Sequence, residues 1–294
     1  MKKLKVIIAS ILEGHTGSLY ALTESADYYI TGGSGKLIAC WPKSNLEDKF
    51  VLAQIDQPLY QFKTFKEQLF IGQTNGALMI IDIATKQIKH NLQLHDAPIY
   101  DIICGPIYTM TFGGDGYLKV LDADLNLVKD IQLAKESLRQ AYIHKDQLFV
   151  ATSDATVVQI DLDTFELKHS FNLHKKSVFA VTVINDQIIS AGRDASIFIQ
   201  DLNTGEVIHK IPAHLSTIND FAINKDQSLL ASASKDKSIR IWDTKTWQLL
   251  KVINRKKYEY HSNSVNKIIW SADDKSLISV SDDRLGIIWN IEKV

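Results

Sequence analysis

Only two cysteines, Cys40 and Cys104, occur in 294 residues, and no CxxC spacing is present. So few thiols exclude a disulfide framework and cysteine-built metal sites, and they point to a reducing, cytoplasmic setting. Charge of one sign is also lacking: 33 Lys and Arg face 34 Asp and Glu, for a formal net charge of -1. A broadly basic nucleic-acid binder is thereby disfavoured. No run approaches the roughly 20 apolar residues of a membrane span, so no membrane partner is expected. At the N-terminus Lys2, Lys3 and Lys5 precede the apolar stretch Val6 to Leu12 and imitate a secretion signal. The stretch is only seven residues, contains Ser10, runs straight into Glu13 and has no small-x-small cleavage site, so it reads better as a strand. What is there is 45% hydrophobic content, ordinary for a folded protein, in a chain long for one globular core. Two domains, a barrel or a repeat array are the options at this length.

Laid against itself, the chain repeats. Apolar-Asp/Asn pairs end at Asp82, Asp122, Asp161, Asp201, Asp243 and Asn290, with Trp41-Pro42 as a worn first member, at intervals of 40, 40, 39, 40, 42 and 47 residues. Acidic-Gln pairs at Glu67-Gln68, Asp146-Gln147, Asp186-Gln187 and Asp226-Gln227 keep the same register, and His15, His95, His174, His214 and His261 open repeats. A fixed period near forty residues is the mark of a repeat architecture.

Within the sixth repeat, Ile218 to Ile223, Leu229 to Ser234, Ser238 to Trp242 and Trp247 to Ile253 read as four short strands separated by polar turns. The turns have a mechanism. Asn75-Gly76 and Asp115-Gly116 are hairpin signals, and an Asp-x-x-Thr turn recurs at Asp82, Asp161, Asp201 and Asp243. Four antiparallel strands per unit, repeated radially, predict an all-β, seven-bladed β-propeller occupying 1–294 as one domain. Too few residues follow Asn290 to form the last blade's fourth strand, so residues 6–12 are expected to complete blade seven and remove an open edge.

The stretch Ser232-Ala-Ser-Lys-Asp236-Lys-Ser-Ile-Arg-Ile-Trp242-Asp243, preceded by His214, resembles the WD40-repeat family, and His261, Ser279, Asp283 and Trp289 repeat the pattern. The resemblance implies a buried hydrogen-bonded chain in each blade, with His bridging Asp and Ser/Thr and the hydroxyl meeting the indole N–H. Full sets are His214, Ser232, Asp236, Trp242 and His261, Ser279, Asp283, Trp289. Blade five has His174, Ser190 and Asp194 with Gln200 for Trp, and blade three has His95, Thr111 and Asp115 with Leu121. Blade one has His15, Thr31 and Trp41 but Gly35 for Asp. A catalytic triad is needed once, whereas this set recurs, so its role is structural and no catalytic residue is assigned. Histidines forty residues apart have no metal-ligand spacing, so neither metal nor cofactor is expected.

WD40 proteins commonly bind peptides and protein partners on one rim of the propeller. The family register places Tyr20, Tyr60, Tyr100, Arg139, Phe179, Asn219 and Asn266 there, four aromatics and an arginine on consecutive blades. A second rim position contributes Arg193 and Lys235 as bases and Asp282 as an acid, and the long sixth interval inserts Arg255-Lys256-Lys257-Tyr258-Glu259-Tyr260 as a loop on the same rim. Tyr and Arg are frequent binding hot spots. The favoured reading is therefore a non-enzymatic interaction scaffold, its partner unidentified and its oligomeric state open. Two alternatives are a propeller-type hydrolase or lyase using Asp101 and Asp220 in the channel mouth, and a weak nucleic-acid-binding adaptor using Arg139, Arg193, Lys235 and Arg255 to Lys257.

Overall fold

The computed structural model describes residues 4–258 and 261–293. Among them, 28 strands form seven antiparallel sheets of four, the blades of a β-propeller. Blade 1 runs Leu19–Glu24, Tyr28–Gly33, Leu37–Pro42, Phe50–Gln54, and each of the next five blades likewise pairs its strands in chain order. Blade 7 differs: Val265–Trp270, Ser276–Ser281 and Gly286–Lys293 are joined by the N-terminal strand Leu4–Leu12, which pairs antiparallel with Gly286–Lys293. The spare strand read from the sequence is thus the fourth strand of blade 7.

By contact the chain divides into two compact units, Met1–Leu59 with Asn219–Val294, and Tyr60–Ile218. In the first, Leu4 and Val6 share a buried cluster with Leu229, Ile241, Ile268 and Trp289, and Leu12 packs with Leu19, Trp41, Ile278 and Ile288. In the second, successive blades are glued by Phe70 and Leu78 against Ile102, by Phe112 and Val120 against Val150, and by Phe149 and Val157 against Val181. Second strands such as Leu229–Ser234 are buried along their whole length. This is why they read as unbroken apolar or small runs rather than alternating ones. The outermost strands are exposed, as in Ile88–Gln93 and Val207–Pro212. Those strands carry Lys89 with His90 and His209 with Lys210, charges that discourage edge-to-edge pairing.

The turns form as their chemistry requires. Asp82 Oδ1 accepts from both the backbone N and the hydroxyl of Thr85 at 2.8 Å, and Asp161, Asp201 and Asp243 accept from the backbone N of Thr164, Thr204 and Thr246. The N–H donated by Thr85 is the leading cause holding the Asp82 carboxyl below its usual range.

The N-terminal strand therefore carries stability. Leu12 is fully buried, so Leu12→Ala is expected to cost about 2–5 kcal/mol in urea unfolding. Deleting residues 4–12 is expected to cause self-association through the bared strand Gly286–Lys293, read by sedimentation. A monomer with unchanged melting would show that the strand closes nothing.

Candidate functional site

The family-type polar chain is built in blades 3, 5 and 7. In blade 7, His261 Nδ1 meets Asp283 at 3.0 Å, its Nε2 meets Ser279 Oγ at 2.7 Å, and Trp289 Nε1 donates to the same Oγ at 2.8 Å. Ser279 accepts from the indole and so gives its own proton to Nε2, which leaves the imidazole proton on Nδ1 facing the carboxylate. Blade 3 repeats the pattern with His95, Asp115 and Thr111 at 3.0 and 2.9 Å, and blade 5 with His174, Asp194 and Ser190, both at 2.9 Å. A Cβ on Gly113 would lie 2.2 Å from both His95 Nδ1 and Asp115 Oδ1, so only glycine admits this pair. Burial pushes the carboxyls of Asp194 and Asp283 up, but hydrogen bonds from His174 and His261, with neighbouring N–H groups, outweigh it and hold both below their ordinary range.

Blades 1 and 5 depart from the full set in definite ways. In blade 5, Gln200 replaces the indole and donates to the Gly205 carbonyl at 3.1 Å. In blade 6, Trp242 Nε1 donates to Ser232 Oγ at 3.0 Å, while Asp236 accepts from the backbone N of Ser238. His214 falls in the unit Tyr60–Ile218 and those three residues in the other. Blade 1 keeps the links from Trp41 Nε1 to Thr31 Oγ1 at 2.7 Å and from Thr31 to His15 Nε2 at 2.8 Å. Its acid is missing. A Cβ on Gly35 would come within 3.1 Å of the Gly17 N, a tight fit at the turn where blades 3, 5 and 7 keep a carboxylate. Burial without that acid pushes the His15 pKa down to about 4.

The rim residues owe their position to a backbone irregularity. Pairing of the innermost strand with the second skips one residue between Leu19 and Ala21, Ile99 and Asp101, Leu138 and Gln140, Val178 and Ala180, and Val265 and Lys267. The skipped residues are Tyr20, Tyr100, Arg139, Phe179 and Asn266, the positions read from the sequence as facing a partner. A bulge leaves one residue outside the ladder and re-aims its side chain.

Within the second unit these side chains meet. The Tyr60 and Tyr100 rings lie 5.3 Å apart between centroids, and the Arg139 guanidinium sits 4.0 Å from the Tyr100 centroid and 4.3 Å from that of Phe179. Arg139 is thus sandwiched, a cation between two aromatic faces. Burial is the main cause lowering its pKa, with Tyr100 and Tyr60 opposing and the charge of Arg193 adding to the fall; a guanidinium starts high enough to remain charged. All four stacked residues are half-buried, and Arg193 is exposed. Gly114 makes room for the stack, since a Cβ there would lie 3.1 Å from the Tyr100 ring.

In the first unit the same register is used differently. The Asn219 amide donates to Ser264 Oγ at 2.9 Å and the Val265 carbonyl at 2.8 Å, and that of Asn266 to the Leu19 carbonyl and Asp282, both at 2.8 Å. These amides tie one blade to the next. Tyr20 is half-buried and Lys235 exposed. The insertion is not a plain loop: Arg255–Tyr258 is one helical turn, and Tyr258 packs edge-on against Trp289 at 5.8 Å. Arg255, Lys256 and Lys257 are exposed, whereas Tyr258 packs against the blade 7 core; Glu259 and Tyr260 lie outside the described residues.

The inner-strand carboxylates of the enzymatic alternative are both buried and engaged. Asp101 accepts from Gln61 Nε2 at 2.6 Å and from the backbone N of Ile102 and Ala141 at 2.9 and 2.8 Å. Asp220 accepts from Lys267 Nζ at 3.2 Å and the Ile268 N at 3.0 Å. With Gln140, whose Oε1 accepts from the Val181 N at 2.9 Å, they form staples between successive inner strands. Sequence reasoning missed this role, although the polar residue right after Tyr100, Arg139 and Asn219 was its signal.

Architecture and polar chains together define a seven-bladed β-propeller whose blades are fastened internally by His, Ser/Thr, Asp and Trp. Residues 205–243 and 253–290 match the WD40 family model, described as WD domain, G-beta repeat. The WD40 β-propeller domain of Doa1 superposes with a TM-score of 0.85 over 97% of both chains at 18% identity, a likeness of fold. Nuclear distribution protein PAC1 from Arthroderma benhamiae and from Trichophyton verrucosum are each 38% identical over 64 residues, 22% of this chain and only 13% of theirs.

Two expectations follow. Ser279→Ala leaves the Trp289 indole and His261 without their shared partner, so a loss of about 1–3 kcal/mol is expected in urea unfolding; no change would remove the polar chain from the stability account. For His15, the folded pKa of about 4 lies below the ordinary 6.5. The unfolded chain then binds a proton that the folded state refuses, so stability falls as pH drops from 6.5 toward 4. His15→Gln is expected to flatten that slope, measured by unfolding at several pH values, and an unaltered slope would contradict it.

Proposed function

We propose that this protein is a non-enzymatic scaffold that binds a peptide or protein partner on the rim formed by the bulged residues of its innermost strands. The observation that carries this reading is the continuous stack of Tyr60, Tyr100, Arg139 and Phe179. Large, rigid, half-exposed aromatics beside a desolvated arginine are the composition of an interface hot spot. The repeated His, Ser/Thr and Asp groups support the same reading, because each is engaged inside its own blade in blades 3, 5 and 7. Asp101 and Asp220, held as inter-strand staples, offer an enzyme little. Tyr20, Lys235 and the basic turn Arg255 to Lys257 make a separate candidate surface on the first unit. The chain holds only two cysteines, Cys40, which is buried, and Cys104, whose thiol burial pushes up to about 12; so few thiols favour a reducing, cytoplasmic place of work.

The Tyr60→Ala, Tyr100→Ala double variant is expected to lose specific partners in affinity capture from the source cell lysate while keeping a cooperative melting transition. Capture of the same partners by both forms would remove the rim stack from the binding surface.

A further inference from the structure

The Arg139 guanidinium is covered on both faces, by Tyr100 and by Phe179. Contact with two rings leaves chiefly its N–H edge to donate. Arg193, on the neighbouring blade, is exposed and close enough to act on the charge of Arg139, and no carboxylate of the described residues forms an ion pair with either arginine. The nearest acid in sequence, Asp194, is held by His174 at 2.9 Å. Two like charges therefore converge on one rim with no anion between them. The same rim also carries an apolar tip. Leu215 is 89% exposed and follows His214, whose backbone N donates to the carbonyl of Ala195 in the turn beside Arg193.

We propose that blades 4 and 5 form an acidic-peptide site, in which the carboxylate of a Glu or Asp side chain lies between Arg139 and Arg193 and an apolar neighbour of that acid packs on Leu215 and Phe179. The geometry favours a carboxylate because a guanidinium offering only its edge pairs best with a planar acceptor lying in its own plane. The Tyr100 and Phe179 rings exclude water from one side of that pair and strengthen it. This assignment rests on the rim reading proposed above and supplies the partner chemistry that the aromatic stack alone leaves open.

The test uses the full chain and N-acetylated, fluorescein-labelled hexapeptide pools whose central residue is Glu, Gln or phosphoserine and whose flanks vary among Leu, Phe, Ala and Gly. The Glu-centred pool is expected to bind by fluorescence anisotropy, and Arg193→Gln to weaken it by about tenfold or more. Arg193 is exposed, so that variant is expected to melt like the wild type. Arg139→Gln serves as the second variant, interpreted only if its melting is cooperative. Binding should also weaken as salt is raised. Equal binding of the Gln pool, binding of the phosphoserine pool alone, displacement by an oligothymidylate, or indifference to Arg193→Gln would each overturn the acidic-peptide assignment. If partners captured from lysate still depend on Tyr60 and Tyr100 in any of those cases, the rim reading stands and only the acid falls; if they do not, both fall.

Discussion

A serine or threonine hydroxyl has one proton to give, and that limit orders the interior of the blades. In blades 1 and 7 the hydroxyl takes the indole proton and passes its own to the imidazole. The choice of tautomer is therefore made on the second strand, and the far ring nitrogen is left as a donor. Where an Asp waits at the next turn, the donor fastens the loop ahead of the blade to the hairpin between its second and third strands, as Asp283 does by also accepting from the Ser262 and Leu285 N–H groups. In blades 3, 5 and 7 the loop so fastened leads directly into the innermost strand.

The bulge turns a repetitive fold into a one-sided surface. Each bulge frees one side chain from the ladder, and what the chain places there decides what the rim does. With Asn266 the freed group is drawn back into a backbone contact with the next blade. With Tyr100, Arg139 and Phe179 the freed groups stack on one another. One backbone device thus yields an inward-looking stretch in one unit and an outward-looking one in the other, with no change of fold.

Most of the architecture was legible in the sequence because its signals are local and repeated. The forty-residue period, the Asp-x-x-Thr turns and the strand of residues 6–12 each needed only spacing and turn chemistry to be read. The rim register was legible through family resemblance, but its physical cause was not: a bulge leaves the apolar pattern on either side nearly intact, so a strand such as Leu138–His144 gives no sign that Arg139 lies outside the ladder. The guanidinium sandwich was equally hidden, since its parts come from residues forty apart and meet only when blades stack. The insertion misled for the opposite reason. Arg255 to Tyr260 read as a loop on the rim, whereas Tyr258 packs on Trp289 and Arg255–Tyr258 forms a helical turn. The staple role of Asp101, Asp220 and Gln140 was written in the alignment as a polar position inside an apolar strand, yet carboxylates near a channel invite a chemical reading first.

The pairing of Leu4–Leu12 with Gly286–Lys293 sets Leu4 opposite Lys293 and Leu12 opposite Gly286. The outer ends of both strands thus lie side by side at one corner of blade 7. A pull applied through Leu4 and Lys293 loads the backbone hydrogen bonds of that pair one after another, like a zipper, rather than all together in shear. Blade 7 is accordingly the mechanically soft point of the molecule: tension along the chain peels it first.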